Sequence, residues 1–525
     1  MLFHRILSNK RLIILCFFIN SVCAQLYVPA DPFDLLFTEQ KIMMGGDEPG
    51  SLLFRPIISP IAQKTNAWSL KVRNEFYYNS GAANLENTSD RWVGKGVSFF
   101  TSANIVYNSN YIFASVEPYY FISQNDVYKE PQRIQKFNHL NDNRPHTETP
   151  YTSSGIRETQ VYLNVNGIGG GFSNANMWWG SGFHSSLMMT NNTTGFGHLM
   201  LGTITEKRIK NWGFNGRYIL SKFEKNSHSK LYYSGLIVNT TYYSVPIITL
   251  GFSRAFLSGG NNTYYDVSLL EAALFPFQFV HIEKPNNHED VLNPIDQTFV
   301  GYFNLRFPKS GTVLFWEWGR NEGPESFKDF ILTPDHSDAF TLGVRKYGLF
   351  NNINLFFSLE YTNLAHSNFW ETKNTIDWYD YNQFDYYTYN GRNWAAHSGP
   401  DSDDFKIILG YSNNGFSIMP SFNYERHSLT HSYVLFDQKA NTLVYDNYLF
   451  GESYLFEDRL IYGIGEIFAE TKFEFGLDIR YLYKDIRFAL IYEYEKIINY
   501  EFLSIKGRKS SSVISLSIEK IFKNL

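Results

Sequence analysis

The sequence predicts an all-β fold, a transmembrane antiparallel β-barrel of about 18 strands. Three observations predict it. Apolar and polar residues alternate with a period of two in segment after segment, the mark of strands with two different faces. Aromatic residues make up 18% of the chain, 37 Tyr and 46 Phe among them, a balance that suits strands. The chain also opens with an export signal.

That leader comes first. Arg5, Lys10 and Arg11 form a basic n-region, Leu12 to Ile19 an apolar h-region, and Val22-Cys23-Ala24 a small-residue cleavage site before Gln25. The apolar run is far short of the roughly 20 residues that cross a bilayer as a helix, so residues 1–24 are read as a signal peptide. No later stretch is long and apolar enough for a membrane helix either. Both cysteines, Cys16 and Cys23, lie in the leader, so the mature chain offers no disulfide, zinc-thiolate site or thiol nucleophile. Residues 25–65, with "DPFDLLFTEQ" and several prolines, show no clear alternation and are expected to form a short periplasmic or plug segment.

From residue 66 to 525 alternation governs. Trp68, Leu70, Val72, Phe76 and Tyr78 make a first strand. Phe299, Gly301, Phe303, Leu305 and Phe307 alternate with Tyr302, Asn304 and Arg306 ahead of a Pro308-Lys309-Ser310-Gly311 turn. Phe405 to Tyr411 and Phe416 to Glu425 flank Asn413-Asn414-Gly415, where Asn and Gly supply the positive φ of a hairpin. Phe473, Phe475, Leu477, Ile479 and Tyr481 form the apolar face of a strand whose other face carries Glu474, Asp478 and Arg480. After Tyr483-Lys484-Asp485 the design repeats with Ile486, Phe488, Leu490, Tyr492 and Tyr494, and Ile514, Leu516, Ile518 and Phe522 make a last strand. A soluble sandwich would bury the apolar face; a membrane barrel turns it to lipid and lines its lumen with the polar one. So long a run in one pattern, with no linker, exceeds a usual sandwich domain and favours the barrel. Polar stretches at Gln124 to Tyr151, Lys284 to Pro294, Gly319 to Ser337 and Trp378 to Asp404 are expected as long loops on one side, usually the outside.

Charge narrows the partners. The net charge is -5, and the leader holds three basic and no acidic residues, so the mature chain is more acidic still. Nucleic acid, which needs a basic face, is excluded as a partner. The reading calls for no cofactor and no metal, and for a monomer in outer-membrane lipid.

The stretch "NMWWGSGFHSSLMMTNN", Asn176 to Asn192, stands out for two adjacent tryptophans, two close glycines and a polar tail. Sugars offer C–H faces that stack on aromatic rings and hydroxyls that pair with amides. Trp178, Trp179, Asn191 and Asn192 supply both at short range. The alternative reading makes the tryptophans interface-belt residues and leaves Gly180, Gly182 and Ser186 a structural motif that permits close backbone approach. Glu317 and Arg320 could face the lumen and bind sugar hydroxyls, or form a structural salt bridge.

The same stretch, within "GFSNANMWWGSGFHSSLMMTNNTTGFGHLMLGT" (Gly171 to Thr203), resembles the most recognisable block of the Wzi family of capsule-assembly proteins. "SGLIVNTTYYSVPIITLGFSRAF" (Ser234 to Phe256), "DQTFVGYFNLRFPKSGTVLFWEWGRNE" (Asp296 to Glu322), "LTPDHSDAFTLGVRK" (Leu332 to Lys346) and "YNGRNWAAHSGPDSDD" (Tyr389 to Asp404) look like successive blocks in family order. The resemblance implies an outer-membrane barrel acting as a lectin, which holds capsular or surface polysaccharide at the surface of a Gram-negative cell and catalyses nothing. The segment before the barrel is short for the helical region of that family.

Two other functions stay open: a porin-like channel, which uses the same polar-inside pattern, and a lipid or glycan hydrolase. The latter lacks a nucleophile at convincing spacing. His336 and Ser337 look like a strand-entry turn, and "GFSRA" at Gly251 lacks the second glycine of a nucleophile elbow. Asp401, Asp403 and Asp404 resemble a calcium loop in charge alone, without EF-hand spacing.

Overall fold

The computed structural model describes residues 32–45, 50–58, 67–131, 137–225 (145 apart), 228–260, 263–278, 293–321, 337–365, 387–429, 469–502 and 507–523, with a few isolated positions between them. The signal-peptide reading and His336 lie outside the described residues.

The barrel strands, in chain order, are β1 (Ala67–Asn79), β2 (Gly96–Asn108), β3 (Ile112–Ser123), β4 (Tyr151–Val165), β5 (Ile168–Ser173), β6 (His198–Thr203, resumed at Lys207–Ile209), β7 (Trp212–Lys225), β8 (His228–Tyr242) and β9 (Ile247–Gly259). They continue with β10 (Ile295–Phe307), β11 (Thr312–Asn321), β12 (Asp338–Tyr347), β13 (Leu355–Asn363), β14 (Ser402–Asn413), β15 (Phe416–His427), β16 (Glu470–Tyr483), β17 (Ile486–Ile498) and β18 (Arg508–Lys523). Each pairs antiparallel with its sequence neighbour, and β18 returns to β1 with Leu516 opposite Phe76, so the sheet closes. Both pieces of β6 pair with β7, which makes 18 strands.

The two faces carry the polarity the alternation predicts. On β10 the buried positions include Asp296, Thr298, Asn304 and Arg306, while Phe299, Phe303 and Leu305 point outward. Outward apolar residues elsewhere are exposed, Leu201 at 58% and Phe475 at 53% among them. A water-soluble protein would gain by burying them; lipid removes the need.

Connections alternate in length. At one end of the barrel lie short turns such as 166–167, 210–211, 414–415 and 484–485, together with the start of β1 and the end of β18. At the other end the connections are long, 80–95, 124–150 and 174–197 among them. In outer-membrane barrels the long loops face outward. Trp68 against Tyr107 and Trp212 against Tyr242, ring centroids 4.6 Å apart in both pairs, form part of an aromatic girdle near the turn end.

The lumen is filled. Helix α1 (Pro32–Met43) lies inside, its Leu35, Leu36 and Met43 packed against inward residues Val313, Tyr347, Phe356 and Ile408. Glu39 pairs with Arg345 at 2.5 Å and accepts from Tyr347 Oη at 2.8 Å. From the opposite end, loop 174–197 folds inward to meet this segment.

Candidate functional site

The meeting point is built from the tryptophan pair. Trp178–Trp179 forms a two-residue strand antiparallel to Phe54–Arg55, with Phe54 opposite Trp179 and Arg55 opposite Trp178. Gly180 N donates to Leu53 O at 2.9 Å. The Arg55 guanidinium lies 4.5 Å over the Trp178 ring and donates to Gly182 O at 2.8 Å. The edge of the Trp179 ring is laid on Gly235 of β8. Both tryptophans are buried, at 0% and 1% exposure. Neither ring offers a face to a sugar in this arrangement, and neither lies in the interface belt; both sit inside the lumen.

Two wall carboxylates hold the loop that follows. Glu317 on β11 accepts from Ser181 N (2.8 Å), Gly182 N (3.2 Å), Leu187 N (3.3 Å) and Ser186 Oγ (3.0 Å). Glu360 on β13 accepts from Phe183 N (3.0 Å) and Ser185 N (2.7 Å). The close approach explains the glycines. A Cβ on Gly180 would meet Glu317 Oε1 at 2.3 Å, and one on Gly182 would meet Glu360 Oε1 at 2.7 Å. Glu317 therefore does face the lumen, but its oxygens are committed to backbone amides and not open to sugar hydroxyls. Arg320 is buried as well. Its odd separation from Glu317 puts it on the opposite face of the strand, so the two do not form a shared site.

Asn191 and Asn192 tie loops together. Asn191 Nδ2 donates to Asn87 O at 2.8 Å, and its Oδ1 accepts from Asn176. Asn192 Nδ2 donates to Asn393 O at 3.0 Å and Asn141 Oδ1 at 3.2 Å. Four outer loops, 80–95, 124–150, 174–197 and 364–401, are stapled by these two side chains.

The wall from β14 through β18 to β1 is different in kind. A cavity of about 210 Å³ remains there, lined by Arg73, Glu75, Arg91, Lys406, Arg480 and Glu519 among others. Its charges are paired: Arg73 to Glu519 at 2.8 Å, Arg91 to Glu75 at 2.8 Å, Arg480 to Asp478 at 2.9 Å. Of the aspartates that resemble a calcium loop in charge, Asp403 goes to Arg426 while the pleat sends Asp404 inward to His184 Nε2 at 2.9 Å. No shared cradle forms.

At the outer mouth an open groove of about 590 Å³ is lined by Lys95, Tyr128, Lys129, Tyr500, Arg508 and Lys509. Lys509 lies 4.4 Å from the Tyr500 ring and donates to its Oη at 2.8 Å and to Asp142 Oδ2 at 3.1 Å. Burial alone would raise the Asp142 carboxyl, but the charges of Arg133 and Lys509 overcome it and hold that group well below the usual carboxylate range. The exposed cations Lys129 and Arg508, and Lys509 laid over the buried Tyr500 ring, are what the sequence reading missed. They sit in loops and at strand ends, where no periodicity points to them.

A closed antiparallel barrel of 18 strands, apolar outside and polar within, belongs to the class of outer-membrane β-barrel proteins. Among solved structures the chain is similar to Wzi, an Escherichia coli outer-membrane protein involved in group 1 capsule assembly and described as a carbohydrate-binding β-barrel. The TM-score is 0.58 at 12% identity, over 94% of this chain and 98% of that one, a likeness of fold. The Pseudomonas aeruginosa protein OprD is a more distant neighbour, with a TM-score of 0.40 at 10% identity over 88% of this chain and 96% of that one. No protein-family profile matches the sequence, and no curated protein matches it.

Proposed function

We propose that the protein is a non-catalytic outer-membrane barrel that binds surface polysaccharide and holds or organises it at the cell surface. One observation carries the reading: the lumen is closed where Trp178–Trp179 meets Phe54–Arg55, while the loop side presents an open groove of cations and tyrosines. Filling the lumen serves a platform and hinders a channel. The groove offers the exposed cations Lys129 and Arg508 to hydroxyls or uronate carboxylates, with the half-buried Tyr128 beside them. The fold-level likeness to a carbohydrate-binding barrel supports the same reading. The tryptophans, Asn191, Asn192 and Glu317 contribute by shaping the mouth from beneath.

The test pairs a deletion with a purified-protein measurement. Loss of the gene releases surface polysaccharide into the medium. Barrel in detergent retains polysaccharide extracted from the same cells, and the double variant Lys129→Ala, Arg508→Ala retains less while migrating as a folded barrel. Stable channel conductance in planar bilayers, together with no polysaccharide retention, would overturn the reading in favour of a porin.

A further inference from the structure

Beneath the outer loops, Glu86 of loop 80–95, His184 of loop 174–197 and His397 of loop 364–401 converge with Asp404 at the start of β14. His184 Nε2 is 2.9 Å from Asp404 Oδ2 and 3.9 Å from Glu86 Oε2. His397 Nε2 is 3.0 Å from that Glu86 oxygen and 3.2 Å from Asp404 Oδ2. The imidazoles lie edge to face, centroids 4.5 Å apart. We propose that these four side chains form a divalent transition-metal site, best suited to Zn²⁺, that clamps three outer loops to the barrel wall.

Geometry is the first support. Ligand atoms at zinc's usual bond lengths of 2.0–2.1 Å stand about 3.3 Å from one another at tetrahedral angles; the four imidazole–carboxylate separations above bracket that value, and one ligand atom from each of Glu86, His184 and His397 lies within 4.8 Å of the others. The second is unmet bonding. His184 Nε2, both nitrogens of His397 and both oxygens of Asp404 are buried without a hydrogen bond of acceptable direction. The residues concerned are 8%, 3% and 1% exposed.

Charge agrees. Glu86, Asp404 and Glu425 put three carboxylates around one ammonium, that of Lys472, which touches Glu86 Oε1 and lies 2.7 Å from Glu425 Oε2. So many buried carboxylate oxygens around one ammonium make a setting that a divalent cation stabilises. Glu425 is itself held by His427 at 2.5 Å. Lys472, Glu425 and His427 thus form the outer layer that orients a ligand set. Two imidazoles with two carboxylates suit zinc and its neighbours in the transition series and not calcium or magnesium.

The inference stands apart from polysaccharide binding and is tested separately. Full-length protein in detergent is stripped with a chelator, reloaded with Zn²⁺ or Co²⁺, and its metal content measured. About one equivalent per folded chain is expected, with the visible bands of tetrahedral Co²⁺. Asp404→Asn and His397→Gln, in chains that migrate as folded barrels, should weaken the binding by at least about tenfold. Folded wild-type protein that takes up none of Zn²⁺, Co²⁺, Ni²⁺ or Mn²⁺ overturns the site even if every variant misfolds, and so does uptake unchanged in both variants.

Discussion

The wall of β6 to β10 and the wall from β14 through β18 to β1 are built from the same alternating strands, yet their interiors are filled in opposite ways. Against the first, loops 174–197 and 364–401 insert a dry aromatic mass. Phe196 meets Phe223 at 4.9 Å, Trp394 meets Tyr233 at 5.5 Å, and Trp179, Trp378 and Trp394 are all buried. Against the second, inserted loop residues such as Glu86, Arg91, Arg133 and His397 meet charged wall residues, and ion pairs surround a residual cavity. The difference lies in the inward residues. Ile219, Phe223, Tyr233, Ile237 and Val300 give the first wall apolar inward positions that a loop can cover. Glu474, Asp478, Glu495 and Glu519 give the second positions that only water or opposite charge can satisfy. Outward polarity decides membership of the membrane; inward polarity decides what enters the lumen.

The strongest way to break that contrast is to release the inserted loop. Replacing both Glu317 and Glu360 by Ala strands buried donors, at a cost on the order of 1–3 kcal/mol for each one left unmet. The expected outcome is a barrel that still reaches the membrane but conducts ions in planar bilayers, with a lower urea midpoint; a silent lumen would show that packing alone retains the loop. Next, Trp179→Ala leaves a hole in the aromatic mass and should cost about 3–5 kcal/mol, read as reduced heat-modifiable mobility, whereas Arg480→Ala in the charged wall should cost far less. The lipid face is common to both walls. Leu490→Arg should therefore cost about 2–4 kcal/mol if it lies near the midplane, and more than Asp478→Asn, which keeps the side chain's shape beside Arg480 and the residual cavity.

The smallest effect is pH-dependent and belongs to the charged side. Because the Asp142 carboxyl is held below its ordinary range, its contribution is complete above the unfolded value of about 4 and is lost as the pH falls. A loss of about 1.5 kcal/mol is expected. Melting between pH 3 and 6 should show a smaller loss in Asp142→Asn than in the wild type.

Strand positions were legible because a period of two is local. Phe475 and Leu490 announce their face by their own neighbours, and the hairpin of β16 and β17 forms about Lys484 as read. Glu317 was legible as inward for the same reason. What it holds was not, since its partners Ser181, Gly182, Ser186 and Leu187 lie some 130 residues earlier and reach it only once the barrel closes. The tryptophan pair was conspicuous but misleading. Composition marks it as equally fit for a sugar, a belt or a core, and the choice was made by Phe54–Arg55, two residues in a segment with no periodic signal. Glu86, His184 and His397 come from three separate loops, so no spacing in the chain brings them together.

The ladder between Phe54–Arg55 and Trp178–Trp179 joins a segment that enters from the turn end to a loop that descends from the opposite end. It makes the lumen a lever. A pull that withdraws residues 50–58 toward the turn side takes Arg55 off Trp178 and Leu53 O off Gly180, and the loop so unseated is the one whose Asn191 and Asn192 fasten its neighbours at the mouth. The position of residues 50–58 at one end of the lumen and the seating of loop 174–197 at the other are thereby set by the same two-residue ladder.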